Sequence, residues 1–446
     1  MKLTVVLCLL FTISAVTFGD EWIIEFVDIC EYAFFTSIEV GADNYPHISY
    51  SAWDEYNDGD LRYVHWNGSS WDVTPVVTTG NVRNNSLALS PIGAPRIAYW
   101  DNDTWDLKYA SWNGSSWVIT TIDGGTTQVG PYCALCIDGD NQPSIAYYQD
   151  WPNPHLRYAR RVGSTWYLSD IDTGNSRGWY VSMALDDAGK PHVAYYSPNG
   201  GNLMYAVLGA EYWSITTVDA AGDVGIYTSI AVDSNGRPHI SYWDKTNGNL
   251  KYARYNGSQW YINTIDDSGD VFGYTSIALD EYDRPHISYH DSSSTCLMYA
   301  SFTGSYWAIE EVDNNGSVGT HSSLAIDGEN RPHISYRESL SGPESLKYAY
   351  YGLTGIEEEG VPVNSSFSIC PNPCAGSATV TFSIPVACRA SLELFDISGR
   401  KVADLADGVH EAGVYQVPIS GLENGIYFSV LRAGDITGTA RLVVLE

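Results

Sequence analysis

Five histidines each follow a proline at regular intervals along the chain, and imidazole is a common metal ligand. The histidines are His47, His192, His239, His286 and His333, while Arg96 and Ser144 occupy the same slot elsewhere. Equivalent positions on packed neighbouring sheets lie about 10 Å apart, whereas metal ligands lie about 2 Å from their ion. The pattern therefore predicts that these histidines are blade-packing elements and do not share a metal.

Two other segments contain ligand-type residues, but neither completes a motif. Cys133 and Cys136 are three residues apart in a predicted strand, so their side chains point to opposite faces and a core role is favoured. Residues 54–60 resemble a calcium loop, but Tyr56 stands where an oxygen ligand belongs and His65 where the closing glutamate should be. We predict no cofactor, and a calcium ion is not supported by a complete motif.

Catalytic patterns do not emerge above the repeat. Arg237, Arg284 and Arg331 recur once per repeat in a turn, whereas a sialidase-like triad needs arginines that converge on one point. There is no nucleophile elbow, phosphate loop or zinc-protease motif. The segment that departs most from the repeat is 149–155, Gln-Asp-Trp-Pro-Asn-Pro-His, so an enzyme site would centre on Asp150 and its neighbours. The alternative is simple loop drift.

The charge of the chain limits its partners. The 53 acidic and 23 basic residues give a formal net charge of -30. Binding to nucleic acid or to anionic lipid requires clustered Lys and Arg, so both are disfavoured.

The repeat itself predicts the fold. A proline followed by an apolar-Tyr strand recurs at Pro46, Pro95, Pro143, Pro191, Pro238, Pro285 and Pro332. Each unit holds four short strands separated by Gly and Asn turns, which is typical of propeller blades. A fourth-strand tryptophan is present in six units, and the missing copy is Trp22. We therefore predict an all-β, seven-bladed propeller over residues 20–353, closed by the N-terminal strand at 22–28.

A candidate ligand site follows from aligning the seven units where the first strand begins. The aligned residues are Phe35, Asn84, Tyr132, Tyr180, Tyr227, Tyr274 and His321. Aromatic faces at the mouth of the channel can stack on sugars or on apolar side chains of a protein partner. The turn after the second strand opens on the same face, which would add Trp100, Asp101, Trp243, Asp244 and Asp291 to the rim. The alternative is that the rings only pack the blades against each other.

The two ends of the chain predict export and a second domain. Residues 1–19 have the charged start and short apolar run of a signal peptide, and no later run is long enough for a transmembrane helix. Residues 354–366 are predicted to be a linker. Five short strands predicted over residues 367–446 indicate a small β-sandwich. A disulfide between Cys370 and Cys374, or from either to Cys388, is left open.

Two resemblances add to this interpretation. The repeat resembles secreted bacterial and archaeal propellers with a Pro-His-Ile-Ser-Tyr motif and, more distantly, NHL and sialidase-like propellers. The C-terminal segment resembles the type IX sorting domain, an immunoglobulin-like sandwich related to that of flagellar hook-capping proteins. The residues that carry this second resemblance include Pro371, Asn372, Pro373, Asp396, Gly399, Gly425 and Tyr427. It implies recognition by the outer-membrane translocon and delivery to the cell surface or the medium.

The function that these observations favour is a non-catalytic surface or secreted protein whose propeller binds a glycan or a protein. The alternatives are a polysaccharide hydrolase or lyase on a propeller scaffold, and a structural adhesin or coat component.

Overall fold

The computed structural model describes residues 20–30, 32–53, 59–78, 80–174, 176–268, 271–339, 344–353, 367–370, 377–384, 388–396, 400–411, 413–422, 424–433 and 436–444. All regular elements within these ranges are β-strands, 35 in number. The chain forms two compact units, one spanning residues 19–354 and the other containing the C-terminal strands from residue 367 onward. The predicted signal peptide and linker lie outside the described residues.

The larger unit consists of seven four-stranded antiparallel sheets, and the first three contain strands from β2 to β13. These strands are β2 (Tyr32–Val40), β3 (Pro46–Trp53), β4 (Gly59–Trp66), β5 (Trp71–Val77), β6 (Val82–Leu89), β7 (Pro95–Asp101), β8 (Asp106–Trp112), β9 (Trp117–Asp123), β10 (Gln128–Ile137), β11 (Pro143–Trp151), β12 (His155–Val162) and β13 (Thr165–Asp172). Each blade-like sheet follows the order of the chain, as the repeat predicts.

The next three sheets continue in the same way, and the seventh combines the two ends of the unit. Their strands are β14 (Trp179–Leu185), β15 (Pro191–Ser197), β16 (Asn202–Leu208), β17 (Trp213–Asp219), β18 (Val224–Val232), β19 (Pro238–Asp244), β20 (Asn249–Tyr255), β21 (Trp260–Asp266), β22 (Ser276–Leu279), β23 (Pro285–Asp291), β24 (Cys296–Phe302), β25 (Trp307–Asp313), β26 (Ser317–Ile326), β27 (Pro332–Ser339) and β28 (Ser345–Leu353). The fourth strand of the seventh sheet is β1 (Asp20–Ile29), which pairs with β28. The prediction that the N-terminal strand completes the last blade is confirmed.

A buried tyrosine in the second strand of a blade connects that blade to the one before it. Tyr242 of β19 is fully buried, and its hydroxyl donates to Asp219 at the end of β17 over 2.7 Å. Lys251 of the same blade donates to the same carboxylate over 2.6 Å. The same tyrosine-to-aspartate bond recurs in six of the seven blades, at Tyr50, Tyr147, Tyr195, Tyr242, Tyr289 and Tyr336. Buried polar groups thus obtain partners from neighbouring sheets.

The blade pair that lacks this bond is the first and second. Tyr99 of β7 is buried like its equivalents, but β5 ends at Val77, which stands where the other outer strands end in an aspartate. Lys108 pairs instead with Asp101 of its own blade. The sevenfold pattern is therefore broken between blades one and two.

The innermost strands form the wall of a central channel and are also joined to each other. The Ser37 hydroxyl accepts the Leu87 N–H over 3.0 Å, and Ser323 accepts the Ile38 N–H over 3.2 Å. The second of these bonds joins the seventh blade to the first. Together with the β1 pairing, it shows that the ring of blades is closed.

Small residues line the end of the channel where the innermost strands finish. Alanines occupy five of the seven equivalent positions there: Ala88, Ala184, Ala231, Ala278 and Ala325. Glu39 and Cys136 occupy the other two. Burial raises the pKa of Glu39 to about 7. A carboxyl group in this setting is destabilising once it is ionised.

The smaller unit is a β-sandwich. One sheet contains β29 (Phe367–Cys370), β30 (Ser377–Ile384) and β33 (Gly413–Ser420), and the other contains β31 (Cys388–Asp396), β32 (Lys401–His410), β34 (Gly425–Ala433) and β35 (Ile436–Val444). Side chains from both sheets, such as Phe382 and Leu392, form one buried core. The sequence analysis missed β29 and β32. Strand β32 is mostly exposed, so its sequence lacks the apolar alternation of a half-buried strand.

Deleting residues 22–28 should destabilise the propeller by about 3 kcal/mol or more and reduce its solubility. The deletion uncovers the edge of β28, removes the Trp22 ring that packs 5.0 Å from Tyr299, and leaves Tyr50 without Asp28. Thermal unfolding and size-exclusion chromatography measure the change. Ile24→Thr, on the exposed side of the same strand, is the control and should behave as the wild type. An unchanged unfolding temperature after deletion would contradict ring closure by β1.

Glu39→Gln should stabilise the protein at pH 8 and have little effect at pH 4. The folded-state pKa of Glu39 is about 7, above its unfolded value of 4.5, so the folded state binds the extra proton between these values. Stability contributed by the protonated form is present below the lower value and is lost as the pH rises through the upper one. The expected gain at pH 8 is about 1 to 3 kcal/mol in denaturant titrations. Glu329→Gln, on an exposed turn, is the control, and an effect of Glu39→Gln that is independent of pH would refute the prediction.

Candidate functional site

A local irregularity near the start of the innermost strands directs one residue of each blade into the channel. The pairing register shifts at this point in six of the seven innermost strands, as between Ile226 and Ser229. Bulges of this kind re-aim side chains. The residues at the irregularity are Phe35, Asn84, Tyr132, Tyr180, Tyr227, Tyr274 and His321, which we call the collar.

The collar backbone is strained in a repeated way. Six of its seven residues have a positive φ, from 42° at Asn84 to 55° at His321, and the exception, Tyr132, follows Gly130 with a φ of 94°. Bulky residues rarely adopt this region, and each instance costs about 1 to 3 kcal/mol. This free-energy cost recurs at equivalent positions around the ring. The packing of the propeller therefore holds these side chains in a direction that their own backbone preference disfavours.

The collar side chains touch each other around the channel. Ring centroids are 4.9 Å apart for Tyr132 and Tyr180, and 4.5 Å apart for Tyr180 and Tyr227. Tyr274 lies 4.4 Å from Tyr227 on one side and 4.4 Å from His321 on the other. The chain of rings continues from His321 to Phe35 at 4.8 Å. On the remaining side, Asn84 donates to the Pro131 carbonyl, next to Tyr132 in the chain.

All seven collar residues line one cavity of about 590 Å³. They are partly exposed, so their rings border open space as well as each other. The structure places the seven aligned positions around this one cavity, and their role in binding remains a prediction.

Burial keeps Tyr132, Tyr227 and His321 of the collar uncharged near neutral pH. Burial raises the pKa of Tyr132 and of Tyr227, and the neighbouring tyrosines raise both further. Burial, with Arg337 and His290 nearby, lowers the pKa of His321 to about 3. At pH 7 the phenols of Tyr132 and Tyr227 keep their protons and the imidazole of His321 is neutral.

The aspartates predicted at the rim do not line the cavity, which corrects the sequence analysis. Asp101 binds Lys108 and accepts the Asp103 and Thr104 backbone N–H groups. Asp244 is buried and accepts from the Asn247 backbone N–H over 3.1 Å. Asp291 accepts the N–H groups of Ser293 and Ser294 in the same manner. Each carboxylate caps the turn of its own hairpin, where an aspartate is the preferred partner for free N–H groups.

The two predicted tryptophans have different positions. Trp100 lines the cavity. Trp243 does not: it is buried behind the collar, with its ring 6.4 Å from Tyr227 and 5.1 Å from Phe272.

The lining residues that sequence reasoning missed include Trp53, Arg83 and Asn85. Asn85 donates to the Phe35 carbonyl over 2.6 Å and accepts from Ser49, so it joins blades one and two. The available signal was the departure of blade two from the collar pattern at Asn84 and at its neighbours on either side.

The segment 149–155 does not line this cavity, so it does not mark the asymmetric part of the channel mouth. Gln149 is buried and donates to the Asn153 carbonyl over 3.1 Å, while Trp151 is exposed. The asymmetry at the cavity comes from blades one and two.

The repeated histidines lie between strands of their own blade. His239 Nδ1 lies 2.6 Å from the Tyr252 hydroxyl, and its Nε2 lies 3.7 Å from Asp233. The same histidine-tyrosine pair forms at His47, His192, His286 and His333. The packing role predicted for these residues is confirmed. Within the described ranges, no group of three His, Cys, Asp or Glu side chains is placed to hold a metal.

The cysteines also agree with the strand analysis. The Cys133 thiol points to the Asn84 carbonyl of blade two, and the Cys136 thiol to the Met183 carbonyl of blade four. They face opposite neighbours, as expected. Cys388 is a free thiol, so the alternative in which it forms a disulfide is wrong. Cys374 lies outside the described residues.

The proposed sorting residues are described only in part. Tyr427 is buried in the sandwich core, and Gly425 begins β34 beside it. Tyr427 pairs with Asp396 across β31 and β34. Pro371, Asn372, Pro373 and Gly399 lie outside the described residues, as does the 54–58 part of the candidate calcium loop.

Comparison with known proteins divides the chain in the same way. Residues 368–445 match the family of secretion system C-terminal sorting domains. No curated protein matches the chain. The described residues contain no helix long and apolar enough to cross a membrane.

Solved structures with a similar fold share little sequence with this chain. A protein of unknown function from Dyadobacter fermentans is 10% identical and has a TM-score of 0.50 over 75% of this chain and 98% of its own. An ulvan lyase of family PL25, solved with a GlcA(1-4)Rha3S ligand, is 13% identical and has a TM-score of 0.53 over 72% of this chain and 94% of its own. These similarities show the propeller-like fold of the larger unit. The sorting tail indicates that the protein is exported to the cell surface or secreted.

Proposed function

We propose that the protein is an exported, non-catalytic binding protein whose collar holds a glycan. The observation that carries this proposal is the convergence of six rings and one amide on a single open cavity at a strained backbone position. Flat amphipathic rings bind the apolar faces of sugars, and hydroxyls at their edges donate and accept hydrogen bonds.

The protonation of the collar supports binding over catalysis. An effective acid or base has a pKa near the working pH. The pKa of Tyr227 is raised and the pKa of His321 is lowered to about 3, so both have moved away from neutrality. The described lining also contains no carboxylate pair of the kind used in glycoside hydrolysis.

We infer that the C-terminal sandwich is an immunoglobulin-like signal read by the type IX translocon. Two sheets of three and four strands around one core support this inference, together with the family match over 368–445. In this arrangement the tail delivers the propeller to the surface or the medium, where its ligand is extracellular.

The double variant Tyr227→Ala, Tyr274→Ala should lose glycan affinity by about 1 to 3 kcal/mol, which is about 5- to 150-fold. The two rings lie 4.4 Å apart in the centre of the aromatic half of the collar. A glycan array identifies the oligosaccharide that binds wild type best, and calorimetric titration then measures both proteins.

The matched control is Tyr167→Ala, Tyr212→Ala, which removes two exposed rings away from the collar and should bind as wild type does. If the collar variant unfolds at a lower temperature but keeps its affinity, the rings only pack the blades. If the wild type binds protein partners but no glycan, the ligand class is wrong.

Deleting residues 367–446 should leave a folded propeller that stays in the periplasm of a host with a type IX system. The tail is the segment that matches the sorting family, and the propeller is a separate compact unit. Cell fractionation with an antibody against the propeller measures the location. The matched control places residues 367–446 on an unrelated periplasmic protein, which should then reach the surface. If the truncated protein reached the surface normally, the sandwich would be a stalk and not a sorting signal.

A further inference from the structure

The mouth of the channel differs in charge from the rest of the chain. The chain has 53 acidic and 23 basic residues. The described residues that line the cavity include Arg83 and no aspartate or glutamate. A positive group without a nearby negative one selects for anions in the space that it faces.

Arg83 is held in place by its neighbours. Its Nε donates to the Asn81 side-chain oxygen over 3.0 Å, and its guanidinium carbon lies 4.4 Å from the centre of the Trp53 ring. Trp53 is itself fixed, because its indole N–H donates to the Val82 carbonyl over 3.1 Å. A guanidinium stacked on a fixed indole is preorganised, so little side-chain freedom is lost when it binds a ligand.

The terminal amino groups of Arg83 have no hydrogen-bond or ion-pair partner within the described part of the chain. Other partly buried arginines in the propeller differ in this respect. Arg62 binds Asp28 over 2.7 Å, and Arg337 forms a two-pronged pair with Glu344. Burial lowers the pKa of Arg83, but a guanidinium stays charged at neutral pH. The two free donors lie at the cavity that the collar lines, where a ligand can reach them.

The location of Arg83 also fits the broken symmetry of the ring. It precedes Asn84, the one collar residue without a ring, and it pairs across the sheet with Trp100. No tyrosine-to-aspartate bond joins blade one to blade two, whereas such a bond joins each of the other six pairs of neighbouring blades. The irregular part of the ring therefore contributes Trp53, Arg83 and Trp100 to one side of the cavity.

We propose that this side of the cavity recognises a negatively charged sugar, with Arg83 binding its oxyanion while Trp53, Trp100 and the collar contact its ring. The proposal rests on glycan binding at the collar and adds the class of glycan. Carboxylate and sulfate groups both offer paired oxygens that match the guanidinium fork. Uronic acids and sulfated sugars are the two sources of this chemistry.

The test uses an array on which each acidic glycan is printed beside its neutral counterpart, carboxyl-reduced for uronates and desulfated for sulfated sugars. We expect wild type to bind at least one acidic glycan about tenfold more tightly than its counterpart, with an affinity that falls as salt is added. Arg83→Gln should bring this ratio close to one, because the acidic glycan then loses the affinity that its charge contributes. Arg83→Lys should retain part of the preference, since it keeps the charge but not the fork.

Arg237→Gln is the matched control, because it removes the same charge from an exposed turn at the other end of the innermost strand and should keep the full ratio. Thermal unfolding of each variant shows that the fold is retained.

A ratio that survives Arg83→Gln would overturn the proposal, and so would a polyglutamate peptide that binds as tightly as the glycan. If the protein bound only neutral glycans, the proposal that the ligand is negatively charged would be wrong, while the proposed function of glycan binding would stand. Absence of any glycan binding would overturn the proposed function itself. If carboxyl reduction of the glycan lowers its affinity, the recognised anion is a carboxylate. If desulfation lowers the affinity, the anion is a sulfate.

Discussion

A hydrogen bond from a buried tyrosine to an aspartate of the preceding blade is the constraint on which the propeller depends. The tyrosine hydroxyl is placed where water cannot reach it, so it requires a protein acceptor. The carboxylate that accepts is itself largely buried and requires a donor or a cation, which Lys251 supplies for Asp219 and Arg62 for Asp28. Each such group fixes the spacing of two blades. Because the last of them uses Asp28 of β1, the ring is complete only when the N-terminal strand is in place.

Where this bond is missing, the structure has room for other chemistry. Val77 stands at the end of β5 where Tyr99 would need an aspartate, and the adjacent innermost strand carries Arg83, Asn84 and Asn85 in place of the usual pattern. Asn85 reaches back to the Phe35 carbonyl and joins the two blades by a different route. Loss of one repeated contact thus coincides with the polar, cationic side of the cavity. The repeated tyrosine-to-aspartate bonds stabilise the propeller. The absence of one of them between blades one and two makes one side of the channel mouth different from the other.

Much of this could be predicted from the sequence, because repetition converts a weak local pattern into a strong one. Four strands per repeat predict the four-stranded sheets. The position of Trp22, the fourth-strand tryptophan missing from the last unit, predicts the closing strand. The alignment of Tyr180, Tyr227 and Tyr274 in the repeat predicts that these residues lie together at one end of the channel. The rim aspartates were not predictable in this way, since periodicity locates Asp244 on the correct face but does not show that its oxygens bind its own turn. Arg83 was missed because its role depends on a cross-blade contact with Trp53, which no local pattern encodes.

The position of β1 in the seventh sheet also sets the order in which the protein can fold. Thr36 and His321, which meet where the ring closes, are 285 positions apart in the chain, and such distant pairing is slow because a long loop must be ordered before the contact forms. Blades one to six contain only contiguous strands and can form as soon as their own segments are available. The seventh blade must wait for β28, and the strands of the sandwich follow β28 in the chain. A chain that displays the sorting tail therefore already contains every strand that the ring needs, so the order of the segments makes the export signal a marker of a complete propeller.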